Sequence, residues 1–286
     1  MISSAPLVSV LMTSYCREKY IANAIESVLA STYVNFELII VDDGSTDKTL
    51  EIAKDYAAKD KRVKVFINEK NLGDYPNRNK AASLANGKYL KYIDSDDYIY
   101  PHGLQVLVSM MEAYPEAGWG LCSLIQDIRQ PFPLLLSPKE AYEYNYRGPG
   151  LFHKAPLSSI IRKDIFDQIG GFSEIRMVGD FDMWHKLAQK HPVLLMPDGI
   201  VWYREHNEQE INSRKKFAVT YSDVKFKYLL SPDCPLEKQE IVEILSAAKT
   251  VLVKQIIFYS LRLKYDIVKE HILLLKNHIK NSQAKR

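Results

Sequence analysis

Short apolar runs with strand-like composition alternate with helical patterns over the first hundred residues of this 286-residue chain. The apolar runs cover residues 7–13, 36–41, 63–67 and 89–93. Between them, residues 20–31 and 77–85 have helical spacing, and a Ser-Thr-Asp signal at 45–47 begins a helix expected to end near 58. This order predicts an α/β fold, with a parallel sheet, right-handed crossovers and helices on both faces.

The composition is that of a folded protein. With 47% hydrophobic and 26% charged residues, it excludes a disordered chain, a collagen-like repeat and a disulfide mini-protein. No window reaches the roughly 18 apolar residues of a membrane-spanning helix, and the N-terminus lacks the basic region of a signal peptide. The three cysteines are far apart, as expected of cytosolic thiols. A cytoplasmic protein is therefore expected.

The second half is less regular. Prolines and glycines concentrated in residues 130–157 predict a long loop, and loops of that length are usually functional. A helix is expected over 180–190 and short strands over 193–196 and 200–203. Beyond about residue 213 the pattern is helical to the end, with a break at 231–235.

Polar clusters follow three of the predicted strands. They are Thr13-Ser14-Tyr15, Asp42-Asp43-Gly44-Ser45 and Asp94-Ser95-Asp96-Asp97. Ligands of parallel α/β sheets bind beyond the carboxyl ends of the strands. The three clusters therefore predict one shared site at this edge of the sheet.

The carboxylates of Asp94 and Asp96 suit a divalent cation that also holds a diphosphate. The alternative is a solvated acidic turn, in which Asp97 caps the next helix. His206, in an Arg-Glu-His segment, is a candidate further metal ligand through a neutral imidazole nitrogen, or else a surface histidine in a polar loop. Arg204 and Ser213 are candidate phosphate contacts.

Three strand ends offer groups for a nucleotide. A carboxylate after the second strand can accept hydrogen bonds from a uracil N–H or a ribose hydroxyl, although Gly44, Ser45 and Asp47 also suit a turn and a helix cap. Thr13 and Tyr15 offer a backbone pocket and an aromatic face, unless Tyr15 simply packs. Arg78 can form bidentate bonds to a diphosphate, or lie on a solvated helix face.

Asp180 is the candidate catalytic base. At 100° per residue, it shares a helix face with Met183, Trp184, Leu187 and Ala188, whereas Asp182 is predicted to point outward. A carboxylate at the cleft end of an inward-facing stripe suits general-base catalysis. The alternative is a helix cap stabilised by the dipole. Trp184 is expected in the core.

These segments resemble family 2 glycosyltransferases of the GT-A fold. The resemblance rests on VSVLMTSYCREKYIANAIESVLASTYVNFELIIVDDGSTDKT, NLG, ANGKYLKYIDSDD, GGFSEIRMVGDFDMWHKLA and WYREHNEQEINS, in that order. It implies a mostly parallel, Rossmann-like sheet flanked by helices in residues 1–213, with a nucleotide-binding half (about 1–97) and an acceptor-binding half (about 98–213). Residues 214–286 would form a helical C-terminal extension.

The resemblance also implies roles for residues. Asp96 would bind Mg²⁺ or Mn²⁺ directly, with His206 as a further ligand, and Asp94 would lie near the ribose or metal waters. Asp42 would contact the base, Asp43 would be structural, and Asp180 would be the base of an inverting transfer. Gly179 departs from the pattern, because Glu often precedes this Asp. The expected donor is a UDP-sugar, and the acceptor a saccharide or lipid-linked hydroxyl, in surface polysaccharide or glycolipid synthesis.

Three other functions were weighed against this one. A sugar nucleotidyltransferase is disfavoured because MTSYCREKY contains no glycine-rich phosphate loop. A binding-only relative is disfavoured by the intact Asp94, Asp96 and Asp180. A dinucleotide oxidoreductase is disfavoured because no GxGxxG motif follows the first strand.

The C-terminal segment is basic. From Lys249 onward there are nine Lys or Arg residues and two acids, a net charge of +7, which leaves −4 for residues 1–248 of a chain whose total is +3. Its apolar residues predict helices packed on the body or on a second subunit, as in a homodimer. Outward basic residues would touch anionic lipid at the inner face of a membrane. Nucleic acid is not an expected partner.

Overall fold

The computed structural model describes residues 5–125, 130–206 and 216–283. Eight strands form one sheet in the order β3-β2-β1-β4-β8-β6-β9-β7, and β10 pairs with β5 in a small second sheet. The strands are β1 Val8–Ser14, β2 Phe36–Asp42, β3 Val63–Ile67, β4 Tyr89–Tyr92, β5 Tyr98–Ile99, β6 Trp119–Leu124, β7 Leu134–Leu136, β8 Ser159–Arg162, β9 Val193–Pro197 and β10 Val201–Trp202.

Ten α-helices connect and cover these strands within the described residues. They are α1 Ile21–Leu29, α2 Thr49–Lys59, α3 Asp74–Ser83, α4 Gly103–Ala113, α5 Pro138–Arg147, α6 Lys163–Gln168, α7 Gly179–Lys190, α8 Ala218–Leu229, α9 Lys238–Ser260 and α10 Tyr265–Gln283. The four predicted N-terminal strands pair in parallel, which confirms the α/β prediction. β8 runs antiparallel to both β4 and β6, so the sheet is mostly rather than wholly parallel.

Apolar side chains alternate between the two faces of the sheet. Val8, Val10 and Met12 of β1 pack with α1 and α4 on one face, and Leu11 packs with α3 and α7 on the other. This period of two is the geometry of a strand covered on both sides. Because β1 pairs in parallel with both β2 and β4, the carboxyl ends of these three strands lie at the same edge of the sheet.

The prediction of a long loop over residues 130–157 is wrong in part. The segment contains β7 and α5. Ser137 accepts the amide hydrogen of Glu140, the Glu140 carboxylate accepts the amide hydrogen of Ser137, and Pro138 occupies the first turn. This capping box is a helix start signal that the high proline content obscured.

The C-terminal extension is helical, as predicted, and its first helix packs on α7. Val224, Phe226 and Leu229 of α8 join the hydrophobic cluster that contains Trp184. The predicted boundary near residue 213 and Ser213 itself lie outside the described residues. No helix in the described part of the chain combines the length and low charge of a membrane span.

The prediction that Asp182 points outward is wrong. Its side chain is fully buried and accepts hydrogen bonds from Lys227 Nζ at 2.8 Å and Tyr228 Oη at 2.9 Å. Helical periodicity placed Asp182 opposite the core, but α8 covers that side of α7. Burial opposes ionisation of Asp182, but the hydrogen bond and charge of Lys227, with smaller contributions from Lys186 and Ser173, hold the pKa of Asp182 below its usual value.

Candidate active site

A cleft of about 880 Å³ lies at the carboxyl edge of the sheet. Six of the predicted site residues line it: Thr13, Tyr15, Arg78, Asp94, Asp96 and Asp180. They come from the ends of β1 and β4, from α3 and from the start of α7, which are distant in sequence. The predicted convergence of strand-end side chains is therefore present in the structure.

The Asp94–Asp97 turn follows β4 and presents Asp96 to the cleft. Asp96 Oδ2 lies 3.0 Å from Arg17 Nε and 3.0 Å from His206 Nε2. The imidazole of His206 stacks on Tyr20, with ring centroids 4.8 Å apart. His206 therefore reaches the acidic turn from more than a hundred residues away, and its role as a metal ligand stays a prediction.

The donor set at this turn fits a cation that is shared with a diphosphate. Asp96 and His206 bring a carboxylate oxygen and an imidazole nitrogen to the same point. Within the described ranges, no three His, Cys, Asp or Glu side chains form a complete metal cage. Mg²⁺ commonly takes only one or two protein carboxylates and completes its coordination with substrate phosphates and water. Two protein ligands are therefore compatible with such a site, and metal binding by Asp96 and His206 stays a prediction.

Asp97 does not cap the following helix. Its carboxylate accepts the amide hydrogen of Arg204 at 2.9 Å, and Arg204 Nε donates to the carbonyl of Asp96 at 2.7 Å. α4 begins only at Gly103, without a side-chain cap. Burial and the neighbouring Asp94 raise the pKa of Asp97 to about 8. The two hydrogen bonds made by Arg204 therefore hold the segment that carries His206 against the acidic turn.

Arg78 is largely buried in the wall of the cleft and pairs with two carboxylates. Its Nε lies 2.7 Å from Asp74 Oδ1 and its Nη1 lies 2.6 Å from Asp94 Oδ1. Burial opposes the charge, but Asp74 and Asp94 outweigh it and hold the pKa of Arg78 well above its usual value. The alternative of a solvated helix face is wrong, and the diphosphate contact stays a prediction.

Replacing Arg78 by alanine is expected to lower the free energy of unfolding by about 2 kcal/mol, because it removes a buried guanidinium that pairs with the partly exposed carboxylates of Asp74 and Asp94. Thermal or urea denaturation measures this loss. Lys80→Ala removes the same charge from an exposed position of α3 and serves as the control. Equal stability of the two variants would contradict the structural role of the Arg78 ion pairs.

The two aspartates after β2 lie at different depths. Asp42 is fully buried under the cleft, where Ser45 donates to it from its amide at 2.9 Å and from its hydroxyl at 2.5 Å. Asp43 lines the cleft and accepts the amide hydrogens of Leu72 and Gly73 at 2.8 and 2.9 Å. Asp43 thus fixes the loop before α3. The base contact assigned to Asp42 stays a prediction, since its carboxylate is below the cleft surface.

Asp180 lies in the first turn of α7, at the cleft. Burial raises its pKa to about 6, and the nearby Asp74 adds to this effect. Hydrogen bonds from the Phe181 amide and from Tyr75, together with the charge of Arg78, act in the opposite direction. A carboxyl with this pKa is mostly ionised at neutral pH and still basic enough to accept a proton.

Gly179, which departs from the family pattern, has no room for a side chain. A Cβ at this position would lie 2.6 Å from Tyr75 Cδ2 and 2.7 Å from the carbonyl oxygen of Ser173. The ring of Tyr75 therefore occupies the space that a side chain at position 179 would need. The same tyrosine contacts Asp180, so the substitution leaves the candidate base supported.

The cleft lining also includes Glu174, Arg176 and Tyr221, together with Tyr203, whose hydroxyl is influenced by the charges of the Asp94–Asp97 turn. Tyr221 belongs to α8 and donates from its hydroxyl to the carbonyl of Met177 at 2.8 Å. The helical extension therefore contributes a side chain to the cleft. An aromatic and charged lining of this kind suits a polar, ring-shaped molecule.

Sequence reasoning missed several cleft residues. Arg17 follows β1 within the polar segment already singled out, and a basic residue there could have been paired with the acidic turn. Asp74 and Tyr75 follow the NLG motif, and no local pattern shows that both of them lie beside Asp180. No local sequence pattern predicts that Tyr221 lies in the cleft, because its position depends on how α8 packs against α7.

Residues 9–170 match the family described as Glycosyl transferase family 2. The chain belongs to glycosyltransferase family 2. It is 32% identical over 229 residues to an uncharacterised glycosyltransferase of Methanocaldococcus jannaschii, and the match covers 76% of this chain and 77% of that protein. The activity is therefore that of a glycosyltransferase, as the motifs implied.

Solved structures of two glycosyltransferases share the fold, which confirms the GT-A architecture. S. aureus TarS 1-349 in complex with UDP-GlcNAc superimposes with a TM-score of 0.71 at 22% identity, covering 96% of this chain and 81% of TarS. The mannosyltransferase PcManGT of Pyrobaculum calidifontis, in complex with GDP-Man and Mn²⁺, gives 0.63 at 15% identity, covering 99% and 89%.

Proposed function

We propose that this glycosyltransferase moves a sugar from a UDP-sugar to an acceptor hydroxyl with inversion at the anomeric carbon. The observation that carries the proposal is the placement of Asp96 and Asp180 in one cleft. One carboxylate pairs with His206 at the end of β4, and the other has a raised pKa at the start of α7. A donor whose diphosphate binds near Asp96 leaves room in the cleft for an acceptor hydroxyl near Asp180.

Asp96 and His206 are the residues proposed to hold Mg²⁺ or Mn²⁺, and PcManGT, a protein of the same fold, is seen with Mn²⁺. When bound, such an ion neutralises charge on the departing nucleoside diphosphate. Arg17 lies against Asp96, so its guanidinium is placed to contact a phosphate oxygen when the pair opens. Asp94 and Arg78 hold the turn from below.

Asp180 is proposed to take the proton from the acceptor hydroxyl. The acceptor oxygen forms a bond to the anomeric carbon while the bond from that carbon to the diphosphate oxygen breaks, and the electron pair leaves with UDP. One displacement of this kind converts an α-linked donor into a β-linked product. Glu174, Arg176 and Tyr221 are proposed to orient an acceptor that is a saccharide or a lipid-linked sugar, in surface polysaccharide or glycolipid synthesis.

The rate of transfer is expected to fall below about pH 6, because Asp180 must be ionised to act as a base and its pKa is about 6. Because its pKa is raised, the Asp180 carboxylate is half protonated near pH 6 rather than near pH 4. Below this point kcat should drop about tenfold per pH unit. A profile flat from pH 7 to pH 5 would contradict this role of Asp180.

Hydrolysis of a panel of UDP- and GDP-sugars, with and without Mn²⁺, tests the proposed reaction. We expect release of UDP from at least one UDP-sugar, dependent on the metal. A nucleotidyltransferase would instead release pyrophosphate from a nucleoside triphosphate in the presence of a sugar 1-phosphate. That outcome, or turnover of GDP-sugars alone, would overturn the proposal.

A further inference from the structure

The hairpin of α9 and α10 extends beyond the core. The buried residues of α9 are Ile244 and Leu245 near its start, and no side chain over residues 246–277 is buried. α9 and α10 contact each other along this stretch. It nevertheless contains many large apolar residues, both in the two helices and in the turn between them. Helices with this much apolar surface are normally covered.

The most exposed of these side chains lie where the two helices meet. Leu261 is 80% exposed and Leu263 is 70% exposed, and three neighbours are exposed by about half. We call this group the apolar tip: Ile257, Phe258, Leu261, Leu263 and Tyr265. Contiguous exposed apolar side chains on a folded protein mark a contact with a membrane or with another protein.

Leu263 gives a second indication that the tip has a role. Its φ is 54°, in the left-handed region that favours glycine at a helix C-terminus. A leucine there strains the backbone, and a glycine would make the same turn without strain. Leu263 thus presents an exposed apolar side chain at a turn that glycine would make at lower cost.

Charge identifies the partner. Lys254, Arg262, Lys264 and Lys269 lie in the same stretch of sequence as the apolar tip, with only Asp266 and Glu270 as acids, and the segment from Lys249 onward carries a net charge of +7. The Arg262 guanidinium lies 3.6 Å from the centre of the Phe258 ring. A positive charge therefore lies directly beside an apolar side chain of the tip. A second copy would bring like charges together, whereas an anionic lipid surface attracts both features.

We propose that the apolar tip inserts into the interface of an anionic lipid bilayer. Leu261 and Leu263 enter the boundary of the acyl chains, and Lys254, Arg262 and Lys264 contact the phosphate headgroups. The contact is peripheral and holds the enzyme at a membrane surface. It involves none of the residues that line the cleft, so it can be tested separately from the proposed reaction.

Co-sedimentation of the full chain with vesicles tests the proposal. We expect binding at low salt to phosphatidylcholine vesicles that contain phosphatidylglycerol, and little binding to phosphatidylcholine alone or at high salt. Leu261→Ser with Leu263→Ser should reduce the bound fraction about tenfold or more. Lys254→Gln, Arg262→Gln and Lys264→Gln together should reduce it about tenfold or more on the anionic vesicles.

Val242→Ser is the matched control, because Val242 is an exposed apolar residue near the start of α9 and away from the tip. It should bind vesicles like the unchanged protein, and thermal denaturation checks that all variants fold. Absence of binding to anionic vesicles would overturn the proposal. So would a dimer seen by light scattering that the Leu261→Ser, Leu263→Ser variant dissociates, since the occupant would then be a second copy.

Discussion

Asp180→Asn is expected to lower the rate of sugar transfer by about a thousandfold while leaving UDP binding intact. A decrease of this size is within the range expected when a positioned general base is removed. Binding should persist because the diphosphate is proposed to lie near Asp96, at the end of a different strand. Turnover with saturating donor and acceptor gives the rate, and calorimetry with UDP and Mn²⁺ gives the affinity. Transfer at an unchanged rate would reassign the base.

The stability of the Asp180→Asn variant separates a catalytic loss from a folding defect. The pKa of Asp180 is raised from 3.8 to about 6, so this group lowers the stability of the folded state progressively between about pH 4 and pH 6, and by its full amount above pH 6. Removing the charge should therefore leave the melting temperature at pH 7 unchanged or higher. Near pH 4, where the folded protein holds the carboxyl protonated, the two proteins should differ little.

Asp182→Asn is the matched control on the same helix. Asp182 is buried and bonded to Lys227 and Tyr228, and it is absent from the cleft lining. Its replacement should lower the free energy of unfolding by about 2 kcal/mol, because charged hydrogen bonds are weakened inside the protein. Transfer by the folded fraction should continue. Two neighbouring aspartates are thus expected to give opposite results in rate and in stability.

Asp96→Ala is expected to weaken metal-dependent UDP binding by about a hundredfold or more. Changes to residues that only support a metal ligand lower metal affinity up to about a hundredfold, and a direct ligand should matter at least as much. The variant also frees Arg17 and His206 from their contacts with Asp96. Because the rest of the nucleotide site is unchanged, the variant should still bind UDP weakly, and Mn²⁺ should no longer strengthen this binding.

Calorimetric titrations of UDP with Mn²⁺ and with EDTA measure this difference. The unchanged protein should bind more tightly with the metal, and the Asp96→Ala variant should bind equally in both conditions. Asp60→Ala serves as the control, because Asp60 pairs with Arg62 before β3, at the opposite edge of the sheet. An Asp96→Ala variant that keeps the full response to Mn²⁺ would reject the metal site.

Much of this cleft could be predicted from the sequence because its parts follow local patterns. Strand ends are marked by where an apolar run stops, and parallel strands bring those ends together. The inward stripe of α7 placed Asp180 toward the core, and Trp184 is buried as expected, stacked on Trp119. These inferences needed only the periodicity of a strand or a helix.

The predictions that failed depend on partners distant in the chain. Asp182 was expected in solvent because nothing near it in sequence shows that α8 returns to cover α7. Asp97 was expected to cap a helix, yet its carboxylate pairs with the backbone of Arg204, 107 residues away. Periodicity describes one element and does not show which surface of that element another helix will cover.

A crystal structure with UDP and Mn²⁺ bound tests the central claim most directly. We predict the metal between Asp96, His206 and the diphosphate, with Asp180 facing the open part of the same cleft. A nucleotide bound away from Asp96, or a metal-bound diphosphate in a cavity that Asp180 does not reach, would contradict the account.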